Sequence, residues 1–312
     1  MTGVVYKSTG SWFQVKTEEG HTYQCRIKGK LRLSQIRSTS PVAVGDRVVF
    51  EIDDDGVGVI SSIMERDNYL VRKSVNLSKQ LHIIGANIDR VFLVVTLANP
   101  ATHTTFIDRF LVSAAAFGIE AVLVFNKMDQ YADELLPVIE EFSEIYTNIG
   151  YQVLFCSATT LMGIEDLKEA MKGKTSIFSG HSGVGKSTLI NAMAPELSLK
   201  IGALSEQHNQ GQHTTTFAEM FDLSFGGRII DSPGIRGFGI ADIEKDEIAR
   251  YFPEFFKVSA QCKYNNCQHL SEPGCAVKAA IENETIAGTR YDSYLSMVLE
   301  EQGPYRSDNF GE

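Results

Sequence analysis

The chain has 312 residues, 43% of them apolar, with five cysteines and a formal net charge of −10. That composition can fill the cores of two or three domains, so disorder is not the default expectation. The acidic balance argues against a protein that coats nucleic acid indiscriminately, since such binding needs many phosphate-neutralising cations. Residues 1–12 show no basic-then-apolar leader, and the longest apolar run, Val91 to Ala98, is too short to span a bilayer. A cytoplasmic location and no membrane partner are therefore expected. An odd cysteine count, with three crowded near position 270, suits a reducing compartment and a metal site better than a disulfide framework.

In chain order, residues 1–68 read as short alternating runs: Val4 to Tyr6, Trp12 to Val15, Tyr23 to Ile27, Arg47 to Ile52 and Val57 to Ile63. Five such strands predict a small barrel of the OB type, whose exposed face and loops commonly bind oligonucleotides. Over residues 1–50, Lys7, Lys16, Arg26, Lys28, Lys30, Arg32, Arg37 and Arg47 face only Glu18, Glu19 and Asp46, a local excess of five positive charges. This is where RNA binding is expected, the alternative being a packing domain. Met64 to Ser78 reads as a connecting stretch.

Residues 69–243 alternate strands with helical periodicity, the signature of a parallel sheet covered by helices. Strands are expected at Arg90 to Thr96, Ala121 to Phe125, Gln152 to Phe155, Thr175 to Phe178 and Arg228 to Ile230. Helices are expected at Thr104 to Phe117, Leu135 to Tyr146 and Ile164 to Met171. His82, His103, Cys25 and Cys156 are read as packing residues.

Directly after the strand at Thr175 to Phe178 stands Gly180-His181-Ser182-Gly183-Val184-Gly185-Lys186-Ser187, followed by Thr188 and a helix start. Glycines there let backbone N–H groups curl around phosphates at a helix N-terminus. Lys186 would reach the β- and γ-phosphates, and Ser187 would ligate magnesium. The base is chosen by Asn126-Lys127-Met128-Asp129 at a carboxyl end of the sheet. Guanine offers N1–H and N2–H side by side to one carboxylate, Asp129, whereas adenine has no such pair. Asn126 would tie this loop to the phosphate loop, the Lys127 stem would lie over the base, and Ser157-Ala158 would offer a backbone N–H to guanine O6.

Asp231-Ser232-Pro233-Gly234 would sense the γ-phosphate, Asp231 holding magnesium through water and the Gly234 N–H meeting the phosphate. Between these motifs, Gly211-Gln212-His213-Thr214-Thr215-Thr216 offers a second magnesium ligand, Thr215 ahead of Thr214, unless these threonines simply open a strand. Position 235 is isoleucine, which cannot orient water as a glutamine would, so unaided GTP turnover is expected to be slow. His213 and Arg236 are the nearby polar groups that could assist. The base loop and Ser-Ala loop precede the phosphate loop, which is a circular permutation of the ordinary order, physically permissible because domain termini tend to be close.

Residues 244–312 read as a helical segment carrying Cys262, Cys267, His269 and Cys275. Three thiolates and one imidazole form a closed tetrahedral set for zinc, which marks a structural site.

The permuted motifs, a barrel before them and a cysteine cluster after them resemble the ribosome small-subunit-dependent GTPase A family (RsgA/YjeQ) over nearly the whole chain. The resemblance implies an OB-type domain, a permuted GTPase domain and a zinc-binding C-terminal domain. It also implies GTP/GDP, magnesium and one zinc as ligands, and the small ribosomal subunit and its rRNA as partners of a monomeric enzyme that hydrolyses GTP during late subunit maturation. Two departures from relatives are noted: Gln212 stands where many carry arginine, and the chain starts almost at its first strand without the basic extension that some relatives have, from which weaker RNA affinity is expected. Competing readings are a zinc-and-barrel RNA-binding scaffold with nucleotide as a structural ligand, and a P-loop ATPase or kinase, against which Asp129 argues. Because the chain passes from the Asp-x-x-Gly motif into the cysteine segment, loss of the γ-phosphate is expected to be relayed to that segment, with the barrel fused on the base-loop side.

Overall fold

The structure, a computed structural model, describes residues 1–28, 41–73, 81–197, 218–231 and 243–299. Strands β1 (Thr2–Ser8), β2 (Phe13–Lys16), β3 (Thr22–Ile27), β4 (Arg47–Ile52) and β5 (Gly58–Ile63) run in the spatial order β1-β2-β3-β5-β4. β4 pairs back onto β1, so the sheet closes, and among these described strands only β3 and β5 are parallel. This is the five-stranded OB-type barrel expected from the alternating runs. Its inward positions, Val5, Phe13, Val15, Cys25, Val48, Phe50 and Ile60, are fully buried, which leaves the intervening residues for solvent or neighbours.

Met64 to Ser78 is not merely a connection. Tyr69–Lys73 forms β6 and pairs antiparallel with β7 (Leu81–Ala86). The charged character of this stretch obscures the strand, whose Leu70 and Val71 are buried. What fixes the hairpin is remote: Ala86 N–H donates to Val44 O at 2.9 Å. Gly45 (φ +91°) lies so close that a Cβ there would sit 2.0 Å from the Ala86 carbonyl oxygen, so glycine is required by both backbone angle and space. A buried pair, Arg66 Nε to Asp46 Oδ1 at 2.6 Å, closes the same junction.

The nucleotide-fold sheet has the order β10 (Gln152–Phe155), β9 (Glu120–Phe125), β8 (Arg90–Val95), β11 (Thr175–Ser179), β13 (Arg228–Asp231) and β12 (Glu219–Asp222). The first five are parallel and β12 is antiparallel. Val91 to Val95 are all buried, as a strand covered on both faces requires. Helices α1 (Thr104–Ala116), α2 (Leu136–Ile149), α3 (Ile164–Met171) and α4 (Lys186–Met193) follow the strands. β12 went unread in the sequence because four residues beside a threonine run give no period. It pairs on its far side with β1, at Lys7 opposite Glu219, so barrel and nucleotide fold share one sheet, of eleven strands among the described residues.

The C-terminal helices are α5 (Pro253–Ser259), α6 (Ala276–Glu282) and α7 (Gly288–Leu299). Their core of Phe252, Phe255, Cys275, Val277, Tyr294 and Met297 also takes in Val112 from α1. Arg290 rivets the two units. Its Nη1 donates to Asp108 Oδ1 of α1 at 2.6 Å and its Nε to Glu254 Oε1 of α5 at 2.7 Å, with the guanidinium 4.5 Å from the Phe252 ring centroid. All three charged side chains are buried. Arg290→Leu strands two buried carboxylates without their cation, so urea unfolding of the full chain should show a loss of about 3–5 kcal/mol. A loss below about 1 kcal/mol, the range of exposed pairs, would mean that water reaches the cluster.

Candidate functional site

The central strand β11 leads into the glycine loop expected to hold phosphates. Between Ser179 and the start of α4 at Lys186, Gly180, Gly183 and Gly185 all have positive φ (+140°, +85° and +95°), the kind of backbone from which N–H groups form an anion-binding concavity. Gly185 is required twice over. Its φ is left-handed, and a Cβ there would stand 2.3 Å from Asn126 Nδ2. Asn126 is buried at the end of β9 and donates through that Nδ2 to Val184 O at 2.8 Å. The base loop and the phosphate loop are thereby held against each other.

Lys186 Nζ lies over the loop, donating to Gly180 O at 2.7 Å and His181 O at 2.6 Å. Ser182, Gly183, Ser187 and Thr188 are exposed. The His181 ring sits 3.8 Å, centroid to centroid, from Phe106 of α1. Burial, then the Lys186 ammonium and His103, hold its pKa below the usual histidine value. His103 itself is exposed, which corrects the packing role expected of it: it precedes α1, and its carbonyl accepts from Phe106 N–H and Ile107 N–H. The side chain of His82 lies outside the described residues. Cys25 and Cys156 are buried, and burial raises their thiols to about 11 and about 12.

On the base side, Lys127 adopts a left-handed backbone (φ +64°) and Met128–Gln130 form a single 3₁₀ turn. Asp129 is exposed, and its Oδ1 accepts from the hydroxyl of buried Ser157 at 2.6 Å. Ser157 N–H is engaged with Met162 O at 3.0 Å, and Thr160 N–H donates back to the Ser157 hydroxyl. Ser157 therefore orients the carboxylate through its side chain, a role that sequence reading missed by looking only at its backbone.

Three further neighbours carry no signal in the sequence. Lys127 Nζ donates to Asn99 O, Leu97 N–H donates to the Tyr131 hydroxyl at 2.9 Å, and Phe106 covers His181. Asp231 closes β13, beside β11, and lies opposite Glu219 on β12. Gly211, Gln212, His213, Thr214, Thr215, Thr216, Ser232, Pro233, Gly234, Ile235 and Arg236 lie outside the described residues, as do Lys30, Arg32 and Arg37. Of the described cations in the basic N-terminal stretch, Lys7, Lys16, Arg26 and Arg47 pair with Glu219, Asp222, Asp53 and Asp67, so much of that charge is already compensated.

The ligand atoms of Cys262, Cys267, His269 and Cys275 all lie within 4.8 Å of one another. His269 Nδ1 is 3.7 Å from Cys262 Sγ and 3.4 Å from Cys275 Sγ. A tetrahedron with metal–ligand bonds of about 2.0–2.3 Å has edges of about 3.5 Å, so the set can hold one metal ion. The supporting contacts fit that purpose. Tyr291 and Tyr294 hydroxyls donate to the carbonyls of His269 and Gln268. Ala276 N–H donates to Cys262 Sγ at 3.3 Å, as thiolate ligands often require. Burial opposes charge on Glu272, but N–H groups of Gln268, Leu270 and Ser271 on its carboxylate outweigh it and hold its pKa low, which fastens the ligand loop.

Comparison with known proteins gives a consistent result over the whole length. The family model for the RsgA GTPase matches residues 63–241, and that for the RsgA N-terminal domain matches residues 2–60. The chain is 60% identical to the small ribosomal subunit biogenesis GTPase RsgA of Flavobacterium johnsoniae, over 100% of this chain and 97% of that protein. It is 53% identical to the protein of the same name from Bacteroides fragilis, over 98% and 99%. Among solved structures, YjeQ from Thermotoga maritima superposes with a TM-score of 0.80 at 39% identity, covering 96% of this chain and 99% of that one. YloQ, described as a circularly permuted GTPase, gives 0.76 at 30% identity, covering 97% and 96%.

Proposed function

The chain belongs to the RsgA GTPase family, and we propose that this GTP hydrolase binds the small ribosomal subunit when loaded with GTP, assists its late maturation, and leaves after hydrolysis to GDP and phosphate. Support comes from the relatives' names at 50–60% identity over nearly the full chain. The single structural observation that carries the nucleotide part is the Asn126–Val184 hydrogen bond, which makes one site of two loops nearly sixty residues apart.

In this reading Asp129, aligned by Ser157, accepts both guanine N–H donors, with the Lys127 stem against the base and Met128 in the turn that positions them. Since Ser157 N–H is already engaged, the N–H for guanine O6 is that of Ala158. The loop Gly180, His181, Ser182, Gly183, Val184 and Gly185 wraps the phosphates, Lys186 neutralises the β- and γ-oxygens, and Thr188 continues the helix whose N-terminus faces them. Ser187, Asp231 and Thr215 would hold a magnesium ion, directly or through water. When bound, the ion neutralises charge developing on the β- and γ-phosphates. Gly234 would meet the γ-phosphate, and His213 or Arg236 would be the group able to assist the attacking water. With Ile235 next to Gly234, acceleration is expected from the partner rather than from the chain alone.

The cysteine set is read as one structural zinc site, because it is closed and its partners are three thiols and a single imidazole. The barrel, with the cysteine-bearing helical unit, is read as the rRNA-binding part. The domains are taken as 1–68, 69–243 and 244–312, acting as a monomer in the cytoplasm. Co-sedimentation with purified small subunits tests the cycle: the chain carrying a non-hydrolysable GTP analogue should bind about tenfold tighter than with GDP, a coupling of ordinary size. Equal binding in both states would contradict it.

A further inference from the structure

Three residues stand in one row across the sheet. Asp231 on β13 lies opposite Glu219 on β12, and Glu219 lies opposite Lys7 on β1 of the barrel. With strands about 4.8 Å apart, the barrel backbone at Lys7 is roughly 10 Å from that of Asp231. Lys7 Nζ also donates to Glu219 Oε2 at 2.7 Å. Two more barrel side chains grip the same hairpin, the Tyr6 hydroxyl and Lys16 Nζ, both on Asp222 at 2.7 and 2.5 Å. Val4 and Tyr6 pack against the core that contains Met220. In sequence, the β12–β13 hairpin is the segment between the threonine run ending at Thr216 and the Asp-x-x-Gly motif opening at Asp231. The barrel is thus attached at two places: through the chain on the base-loop side, and by hydrogen bonds to the strand pair that joins both phosphate-sensing motifs.

We propose that Lys7 is a positioning residue that acts on Asp231 through Glu219, so that the state of the bound nucleotide and the seating of the barrel on the hairpin are thermodynamically coupled. The proposal rests on the reading of Asp231 as part of the nucleotide site. Asp231, drawn toward the magnesium that accompanies a γ-phosphate, would bias the position of β13; β13 carries β12 by its ladder, and β12 carries the barrel through Glu219 and Asp222. Linkage makes the effect reciprocal: whatever reseats the barrel on the hairpin changes the preference for GTP over GDP.

The test uses the full chain without ribosomal particles and measures affinities for a fluorescent non-hydrolysable GTP analogue and for fluorescent GDP. Lys7→Met and Glu219→Gln should each change the ratio of the two dissociation constants by about threefold, the scale of a half-exposed ion pair. The swapped pair, Lys7→Glu with Glu219→Lys, should restore the parent ratio. Thermal melting of each variant accompanies the titrations. A shifted melting temperature with an unchanged affinity ratio would show a merely structural contact and overturn the proposal. So would a changed ratio that the swap fails to rescue. Failure of the parent chain to bind either nucleotide would instead refute the nucleotide-site reading, and with it this proposal.

Discussion

Asp129→Asn is expected to lower affinity for GTP and GDP by about two to three orders of magnitude while leaving the fold intact. The carboxylate is exposed at the mouth of the site and aligned by the Ser157 hydroxyl. It can accept from both guanine donors at once. Each charge-assisted bond is worth about 1.5–3 kcal/mol, and an amide in its place presents one acceptor and a donor that faces guanine N2–H. The same geometry predicts a gain for xanthosine nucleotides, whose C2 carbonyl accepts from that amide. Titration of both nucleotides against both proteins checks this. Unchanged GTP affinity in the variant would place the base elsewhere.

The second large effect concerns the cysteine set. Cys275→Ser, or removal of metal by a strong chelator, should unfold the C-terminal helices. Structural zinc sites contribute about 10–16 kcal/mol at neutral pH, as much as or more than the about 5–15 kcal/mol of a whole domain. Cys275 is the residue before α6 and is buried among Phe255, Val277 and Tyr294, so its ligand bond and the packing around it are lost together. The damage should spread to the nucleotide fold, because Val112 and Asp108 of α1 belong to the same core and ion cluster. Metal analysis should find one zinc per chain, and circular dichroism should report helix loss on chelation. A metal-free chain with unchanged helicity and melting temperature would refute the structural-zinc reading.

The features legible in the sequence are those whose physics is local. Glycine spacing before Lys186, the Asn126 to Asp129 turn after an apolar strand, and the period of Ile164 to Met171 each announce themselves within a few residues. Gln152–Phe155 and Ile164–Met171 have the expected limits. The missed features depend on partners far along the chain. β6 exists because it pairs with β7 and lies against the barrel at Gly45, and β12 exists because it bridges β13 and β1. Arg290 sits in the segment read only as helical, yet it is buried against acids 36 and 182 positions away. Ser157 belongs to a recognised motif, but its aim at Asp129 follows from the 3₁₀ turn at Met128–Gln130 and not from its own neighbours. The excess of positive charge in residues 1–50 was legible, whereas its partial compensation by Glu219 and Asp222 was not.

The most direct measurement is the rate of GTP hydrolysis with and without purified small ribosomal subunits, run alongside Asp129→Asn and Lys186→Ala. The chain alone should turn over slowly. Subunits should accelerate it strongly, as partners that complete a GTPase site do, and both substitutions should abolish the acceleration. Slow turnover indifferent to subunits would keep the nucleotide site and contradict the assembly role.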